Sequence, residues 1–408
     1  MEIFKSLFRL ALLGGLLAVV ACSSEAEEVI VEVEKEVIKE VEVIKEVEVE
    51  KEVIKEVEVI KEVEKEVIKE VEKEVIKEVE VAKDPGNLVI YSGRKESLVG
   101  PIIEQFEDST GINVEVKYGS SAPMAALLME EGDKTPADIF YAQDPGAIGS
   151  VENMLQPLHD HILLKEVTDD DGKKSMVDVV PAWAKSPQGL WTGITGRARV
   201  VVYNTATVSE SDLPATMQGF CDSKWNGRIG WAPSNSSFQT MITAMRAEWG
   251  DAATKAWIEC IRDNGAKVYP KNTPQVEAAD KGEIDVGFVN HYYLYKFTLD
   301  KAAGDAFKAR NYHPTGGGPG SMVMVSAAGI LKSAENEENA EKFIEFMTSK
   351  VAQSYFANST REYPLVDGVK KHPMITPFDD INKPAISLAS LSDIEGSAQL
   401  LKDAGVLE

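Results

Sequence analysis

Two adjacent tyrosines, Tyr292 and Tyr293, follow a histidine at the end of an apolar run in the segment VNHYYLYKF. A phenol titrates near pH 10 in water, but a bound trivalent cation can remove its proton at neutral pH. The resulting phenolate is a hard, anionic oxygen ligand that suits Fe(III). Neighbouring residues on a regular strand point to opposite faces, so both oxygens converge only where the strand ends and the backbone turns. The pattern therefore admits ordinary ring packing or a metal site, and we assign Tyr295 to packing.

A second candidate is the small polar turn Asn235-Ser236-Ser237, which precedes a predicted helix starting near Phe238. Such residues cap a helix and leave backbone N–H groups that favour an anion, although ordinary capping explains them equally. The segment His159-Asp160-His161 has no third ligand nearby in the sequence, which favours a solvated loop over a metal site. No G-x-S-x-G, H-E-x-x-H or C-x-x-C motif occurs, so no motif supports an enzyme.

The charge of the chain is strongly acidic and unevenly distributed. The 408 residues carry a formal net charge of -24, of which the 22 Glu and 11 Lys of residues 25–83 contribute -11. Residues 84–408 carry -14. Because nucleic-acid binding needs a basic face, this acidic body argues against a nucleic-acid partner.

The N-terminus has the features of a targeting segment. Lys5 and Arg9 precede twelve apolar residues that end at Ala21, which are too few for a permanent membrane span. The sequence Val-Val-Ala-Cys ending at Cys22 resembles a bacterial lipobox, which implies cleavage after residue 21 and a lipid anchor on Cys22 at the extracytoplasmic face of the cell membrane. An ordinary secretory signal is the alternative. In an exported protein, Cys221 and Cys260 are compatible with a disulfide and with two free thiols.

Residues 22–84 form a low-complexity segment built on the repeat VIKEVEKE, without an aromatic residue. Its apolar spacing and Glu/Lys pairs favour a helix, whereas its β-branched content and local alternation favour a strand. We interpret it as a helical or self-associating stalk that holds the body clear of the membrane.

Beyond Asp84-Pro85-Gly86 the sequence alternates apolar runs with amphipathic ones. This alternation predicts an α/β body with mostly parallel sheets, and its 325 residues favour two lobes. In such sheets ligands bind at strand C-termini and helix N-termini. The predicted strands cover residues 88–93, 112–119, 137–142, 198–204, 228–233, 266–270, 284–290 and 322–331.

Over most of residues 88–370 this body resembles the ferric-iron-binding, extracytoplasmic solute-binding proteins of ABC importers. The resemblance implies a two-lobed, periplasmic-binding-protein-like α/β fold that closes on its ligand about a hinge, without catalysis. It implies a first lobe at 85–196 with a return segment at about 323–370, a second lobe at 197–322, and helical segments at 371–408 packing on the lobes. The segments that carry it are IYSGRKESLVGP, TPADIFYAQ, TGRARVVVYNT, KWNGRIGW, PSNSSFQ, YPKN, GEIDVGFVNHYYLY and REYPLV.

The same resemblance implies Fe(III) held by Tyr292 and Tyr293, with carbonate or phosphate as a synergistic anion. Many relatives carry a histidine at the position of Lys95 and a glutamate at that of Gln143, which leaves Asp144 as the possible additional ligand. The expected anion-binding residues are Asn235, Ser236, Ser237, Asn272, Asn290 and Arg197, with Arg94 as a further fork donor.

The leading interpretation is therefore a lipid-anchored solute-binding protein that captures ferric iron and delivers it to an ABC permease and its ATPase. One alternative is a binder of an organic or phosphorus-containing anion, with Lys95 and Arg94 against the serine-rich turn. A third interpretation is a structural surface lipoprotein whose body binds a protein.

Overall fold

The computed structural model describes residues 84–299 and 301–408. By its contacts the chain divides into two units, Met1–Lys83 and Asp84–Glu408, and the described residues all belong to the second unit. The predicted signal peptide, Cys22 and the stalk up to residue 83 lie outside the described residues. Within the described residues, no helix is both long and apolar enough to cross a membrane.

A ten-stranded sheet with the path β2-β1-β3-β11-β6-β9-β7-β8 runs through the body, and β10 and β12 pair with β6 beside this path. Strands β4 and β5 form a separate antiparallel pair. The strands of the described residues are β1 (Asn87–Ser92), β2 (Asn113–Tyr118), β3 (Ile139–Ala142), β4 (Leu164–Thr168), β5 (Lys174–Asp178), β6 (Thr192–Asn204), β7 (Ile229–Trp231), β8 (Lys267–Val268), β9 (Val286–Asn290), β10 (Ala309–Tyr312), β11 (Val323–Ile330) and β12 (Tyr363–Pro364).

Strand β6 connects the two halves of this sheet. Its first part, up to Ala198, pairs antiparallel with β11, and its second part, from Arg199, pairs antiparallel with β9. All 13 of its residues are buried. One continuous strand therefore carries the chain from the β1–β3 half of the sheet into the β7–β9 half.

Helices cover both halves of the sheet. The first, α1, ends at Gly111, which takes up the left-handed conformation (φ 73°) that glycine adopts without strain and donates its N–H to the Glu107 carbonyl. The helices are α1 (Glu96–Thr110), α2 (Ser121–Glu131), α3 (Pro145–Gly149), α4 (Asp160–Leu163), α5 (Ser236–Trp249), α6 (Asp251–Asp263), α7 (Asn272–Lys281), α8 (Tyr295–Thr298), α9 (Lys301–Ala306), α10 (Glu337–Met347), α11 (Lys350–Tyr355) and α12 (Ile394–Asp403).

Aromatic residues pack the cores on the two sides of β6. In the first half, Phe106 of α1 meets Phe343 of α10 edge to face, with ring centroids 5.3 Å apart. In the second half, Phe288 of β9 contacts Phe220 at 5.4 Å and Trp257 of α6 at 5.8 Å. The first contact joins two helices, and the contact with Trp257 holds α6 against β9.

The eight predicted strands are all present, but the prediction of mostly parallel sheets is wrong. Strands β1, β2 and β3 are parallel to one another, as are β7, β8 and β9, whereas β11 and β6 join them in antiparallel pairs. The alternation of strands and helices suggested repeated parallel units. Strands β6 and β11 instead run antiparallel to their neighbours, so the sheet contains both parallel and antiparallel pairs.

Two boundaries also differ from the sequence prediction. Strand β6 begins at Thr192, six residues before the predicted start. The prediction missed these residues because the stretch that contains Gly193 and Gly196 shows no apolar alternation. A Cβ at Gly193 would lie 2.5 Å from the Ala184 carbonyl oxygen, so glycine permits this approach. The amphipathic run at residues 340–356, which reads as one helix from its sequence, forms two helices, because Ser349 starts α11 by accepting the Ala352 N–H at 3.3 Å.

Cys221 and Cys260 form a disulfide across 39 residues of sequence. We expect their joint replacement by serine to lower the free energy of unfolding by about 4 kcal/mol, because the reduced chain loses the loop-closure constraint on its unfolded state. Guanidinium unfolding of the wild type and the double variant measures the difference. An unchanged midpoint and slope would show that the bond adds no stability, and the circular dichroism spectrum of the folded double variant serves as the control for an unchanged fold.

Candidate metal and anion site

The tyrosine pair lies in a tight turn directly after β9. The strand ends at Asn290, and His291–Tyr293 forms a single 3-10 turn. Because the extended backbone ends there, the two neighbouring rings lie side by side, with centroids 4.3 Å apart and planes at 32°. The sequence predicted a strand end at this point, and the structure agrees.

Both tyrosines are buried, with 4% of Tyr292 and 6% of Tyr293 exposed. The Tyr292 hydroxyl has no hydrogen-bond partner within the described residues. Burial, with the neighbouring Tyr293 second, raises the pKa of Tyr292 above its usual range. A buried hydroxyl without a partner is unfavourable, so a ligand that takes the proton and binds the oxygen offsets a cost already present in the fold.

Three fully buried arginines, Arg94, Arg197 and Arg199, lie near the tyrosines. Arg94 follows β1, and the other two lie on β6 on either side of its change of partner. Each arginine keeps two guanidinium nitrogens that lack a partner among the described residues: Nε with Nη1 in Arg94, and Nε with Nη2 in the other two. Buried donors are almost always paired, so this donor set fits an anion.

Arg94 is held by Glu362, a residue that the sequence analysis did not single out. The Arg94 Nη2 atom donates to both Glu362 carboxylate oxygens at 2.7 Å, and the Thr360 hydroxyl donates to Oε2 at 3.1 Å. Burial disfavours the charged form of Arg94, but Glu362 more than offsets this and the pKa of Arg94 is raised. Arg94 can therefore turn only Nε and Nη1 towards an anion. The sequence feature that could have indicated Glu362 is its position in REYPLV, one of the segments that carry the family resemblance.

Two lysines, Lys95 and Lys271, also line a cavity beside Tyr293. The Lys95 Nζ lies 5.0 Å from the centre of the Tyr293 ring, which is the geometry of a cation–π contact. Burial lowers the pKa of Lys95, and Lys271 and Arg94 lower it further. Burial, followed by repulsion from Arg197, lowers the pKa of Arg199 to about 9, so this guanidinium is still charged at neutral pH.

These side chains give the site a charge opposite to that of the whole chain. Five cations, Arg94, Lys95, Arg197, Arg199 and Lys271, and the carboxylate of Glu362 lie near the two phenols. These side chains together carry an excess of positive charge, whereas the body as a whole is acidic. The site can therefore stabilise phenolates and an anion together.

The structure brings three of the seven predicted anion-binding residues, Ser237, Arg197 and Asn290, together at the start of α5. The Ser237 hydroxyl receives Gln143 Nε2 at 2.9 Å, Arg197 Nη1 at 3.4 Å and Asn290 Nδ2 at 3.4 Å. Asn290 in turn accepts Arg199 Nη1 at 3.0 Å. Residues from β6, β9, α5 and the turn directly after β3 thus meet at one hydroxyl.

The predicted residues Asn235, Ser236 and Asn272 lie at the starts of α5 and α7. Asn272 Nδ2 donates to Asn235 Oδ1 at 3.5 Å, and Asn272 Oδ1 has no partner within the described residues. The Asn235 side chain makes no capping bond to α5. A cavity of about 110 Å³ is lined by Asn235, Ser236, Lys95, Lys271, Gln143 and Tyr293, among others.

Asp144, the possible additional iron ligand, is the N-cap of α3. Its Oδ1 accepts the Ala147 N–H at 3.0 Å and the Thr240 hydroxyl at 2.9 Å. These contacts tie the end of β3 to α5, and a role for Asp144 as an iron ligand stays a prediction. Among the described residues, the two cavities that the tyrosines line contain no Asp, Glu or His.

His159 and His161, at the start of α4, have acidic neighbours that are distant in the sequence. Helix α10 places Glu337 and Glu341 so that their ligand atoms and one of His159 lie within 4.8 Å of one another. The His159 ring contacts the Glu341 carboxylate directly, and both histidines are more than half exposed. The contacts connect residues too far apart in sequence for a local pattern to reveal, and they form an exposed ion pair between loop and helix.

Comparisons with known proteins agree with this architecture. The family model of bacterial extracellular solute-binding proteins matches residues 101–385. The major ferric iron-binding protein of Neisseria meningitidis serogroup B is 31% identical over 324 residues, which cover 78% of this chain and 93% of that protein.

Two solved structures extend the likeness to the fold. Iron-bound HitA from Pseudomonas aeruginosa superposes with a TM-score of 0.71 at 27% identity, over 79% of this chain and 100% of that one. The Trichodesmium protein IdiA (FutA), solved with iron and citrate ligands, gives 0.65 at 28% identity, over 78% and 99%. The chain therefore belongs to the bacterial extracellular solute-binding proteins, has their two-lobed α/β fold, and is a binding protein rather than an enzyme.

Proposed function

We propose that this protein captures ferric iron together with a small anion, carbonate or phosphate, and delivers it to the permease and ATPase of an ABC importer. The observation that carries the proposal is the buried Tyr292–Tyr293 pair at the end of β9, beside arginines with unused donors. The names of the Neisseria and Pseudomonas proteins, which describe iron binding, support the same ligand.

The chemistry follows from the charges of these residues. When ferric iron binds, the two phenols release their protons and supply two anionic oxygens. The nearby guanidinium groups stabilise the phenolates, and Lys95 lies over the Tyr293 ring. We assign the further oxygen ligands to the anion, because no Asp, Glu or His of the described chain lines the two cavities beside the tyrosines. Arg197, Asn290 and Ser237, which are joined by hydrogen bonds at the start of α5, would hold this anion.

The two halves of the sheet would close on this ligand about the middle of β6. We assign residues 85–196 and about 323–370 to the first lobe, and residues 197–322 to the second. The change of partner between Ala198 and Arg199 supports this division. Contacts of Gln143 with Ser237 and of Asp144 with Thr240 would then join the lobes over the site.

We also propose that the mature protein is lipid-anchored at Cys22, on the extracytoplasmic face of the cell membrane, with the stalk as spacer. Replacement of Cys22 by serine should release the protein from the membrane fraction. Mass spectrometry of the wild-type N-terminal peptide should show acylation. An unmodified N-terminal peptide in membrane-associated wild-type protein would rule out the anchor.

The iron function is tested by competition with a ferric chelator while the anion is varied. We expect the full chain to retain iron in the presence of carbonate or phosphate and to lose it to the chelator when both anions are removed. Retention that is equal with and without an anion would contradict the role assigned to the arginines. No retention under any condition would contradict the iron function.

A second candidate is a protein that binds an organic or phosphorus-containing anion without metal. The observation that favours it is the group of five cations with one carboxylate, a charge balance that would suit an anion alone. Calorimetry of the metal-free protein with phosphonates and organic acids separates the two functions. Tight binding in the absence of iron, together with no effect of iron, would favour this second candidate.

A further inference from the structure

His291, the residue directly before the tyrosine pair, forms hydrogen bonds through both ring nitrogens and its backbone carbonyl oxygen. Its Nδ1 receives the backbone N–H of Ala198 at 3.1 Å, and its Nε2 lies 2.8 Å from the carbonyl oxygen of Arg361. Its own carbonyl accepts Asn311 Nδ2 at 2.8 Å. Since an amide only donates and a carbonyl only accepts, the ring is the neutral tautomer with its proton on Nε2.

The first of these bonds joins the tyrosine turn to the crossing strand. Ala198 pairs with Val323 of β11, and the next residue of β6, Arg199, pairs with Asn290 at the end of β9. The imidazole therefore binds β6 one residue beyond the last pair of the β6–β9 ladder. The turn is thus attached to β6 at the place where that strand passes from one half of the sheet to the other.

The second bond joins the turn to the segment that holds Arg94. Arg361 has a left-handed backbone (φ 58°), which is uncommon for a residue other than glycine, and it follows the π-turn Phe356–Thr360. The next residue, Glu362, binds Arg94. His291 and Glu362 therefore connect one short segment to both the tyrosine turn and an arginine of the anion group.

Ring contacts complete the enclosure of His291, which is 1% exposed. The imidazole meets the Tyr292 ring edge to face at 5.7 Å and lies 5.0 Å from the Tyr363 ring. A histidine that served only to fill the core would need neither of its two directed bonds, because an apolar side chain fills space equally well.

We propose that His291 is a positioning residue for the iron site: its two ring bonds hold the turn so that the Tyr292 and Tyr293 oxygens face one ligand. This inference rests on the proposed function, in which the two tyrosines bind iron. It assigns to His291 no contact with the metal. It predicts that removal of the ring bonds loosens the turn before any iron is present.

The experiment compares His291→Leu, which removes both bonds, with His291→Asn, which keeps an acceptor towards Ala198. Phe343→Leu is the control for general destabilisation, because Phe343 packs in the core of the first half of the sheet. Hydroxyl-radical footprinting of the metal-free full chain, read by peptide mass spectrometry, reports the exposure of Tyr292 and Tyr293. The iron-loaded protein reports its affinity and the energy of its phenolate charge-transfer band.

We expect His291→Leu to increase the footprint of both tyrosines, shift the band and weaken iron binding by about 10- to 100-fold, as the loss of an outer-shell partner does. His291→Asn should fall between His291→Leu and the wild type. Phe343→Leu should lower the melting temperature with the footprint and band unchanged. If His291→Leu does not fold, His291→Asn and His291→Gln decide, and each should bind iron more weakly than the wild type.

The inference is overturned if the His291 variants keep the wild-type footprint, band and affinity and lose only thermal stability. Its failure is distinct from a failure of the proposed function. If the wild type itself shows no charge-transfer band, iron binding is refuted, while the metal-free footprint still reports whether His291 holds the turn.

Discussion

Replacement of both Tyr292 and Tyr293 by phenylalanine is expected to abolish ferric-iron binding while the fold is kept. The change removes two oxygens and leaves the rings that pack 4.3 Å apart. The loss should exceed the roughly 10- to 100-fold that accompanies removal of an outer-shell partner, because the direct ligands themselves are lost. Equilibrium dialysis against ferric iron and carbonate measures it.

The same double substitution should not lower the stability of the fold. The Tyr292 hydroxyl is buried without a partner among the described residues, so its removal is expected to leave the free energy of unfolding unchanged or raise it by about 1 to 3 kcal/mol. Tyr295→Phe, in the next helix α8, is the matched control and should bind iron as the wild type does. Undiminished iron binding by the double variant would exclude the tyrosines as ligands.

Replacement of Glu362 by alanine should lower the free energy of unfolding by about 3 to 5 kcal/mol, the cost of breaking a buried ion pair. Both side chains are fully buried, and Arg94 would be left as a buried charge whose bidentate partner is missing. Urea unfolding, with the slope checked for a change, measures the loss. A loss below about 1 kcal/mol, as for an exposed pair, would contradict this account of Glu362.

The double variant Arg94→Met/Glu362→Leu separates charge from packing. Because both charges are removed together, we expect its stability to lie near that of the wild type and well above that of Glu362→Ala. Iron binding should nevertheless weaken in the double variant, since Arg94 Nε and Nη1 no longer offer donors to the anion. Equal destabilisation of the single and double variants would show that packing dominates.

The features that could be predicted from the sequence are those that a local pattern specifies. The strand that ends at Asn290 and the helix that begins at Ser236 follow from short-range signals, namely apolar runs and polar turns. These signals placed the tyrosines at a strand end. The family resemblance, carried by the ordered series of motifs, then implied which residues at these strand ends share one site.

The features that could not be predicted depend on contacts between distant residues. Arg94 and Glu362 are 268 residues apart in the sequence, and nothing near either one marks it as half of a buried pair. The two bonds of His291 likewise reach residues 93 and 70 positions away. The net charge likewise does not reveal the local excess of positive charge, because it sums the whole chain, whereas the cations gather in one place.

The central claim is that Tyr292 and Tyr293 bind ferric iron as phenolates. The most direct test is the visible absorption spectrum of the purified full chain during titration with ferric iron in the presence of carbonate or phosphate. We predict a phenolate-to-iron charge-transfer band that saturates at one iron per chain. A spectrum that stays featureless while the tyrosines remain intact would contradict the account.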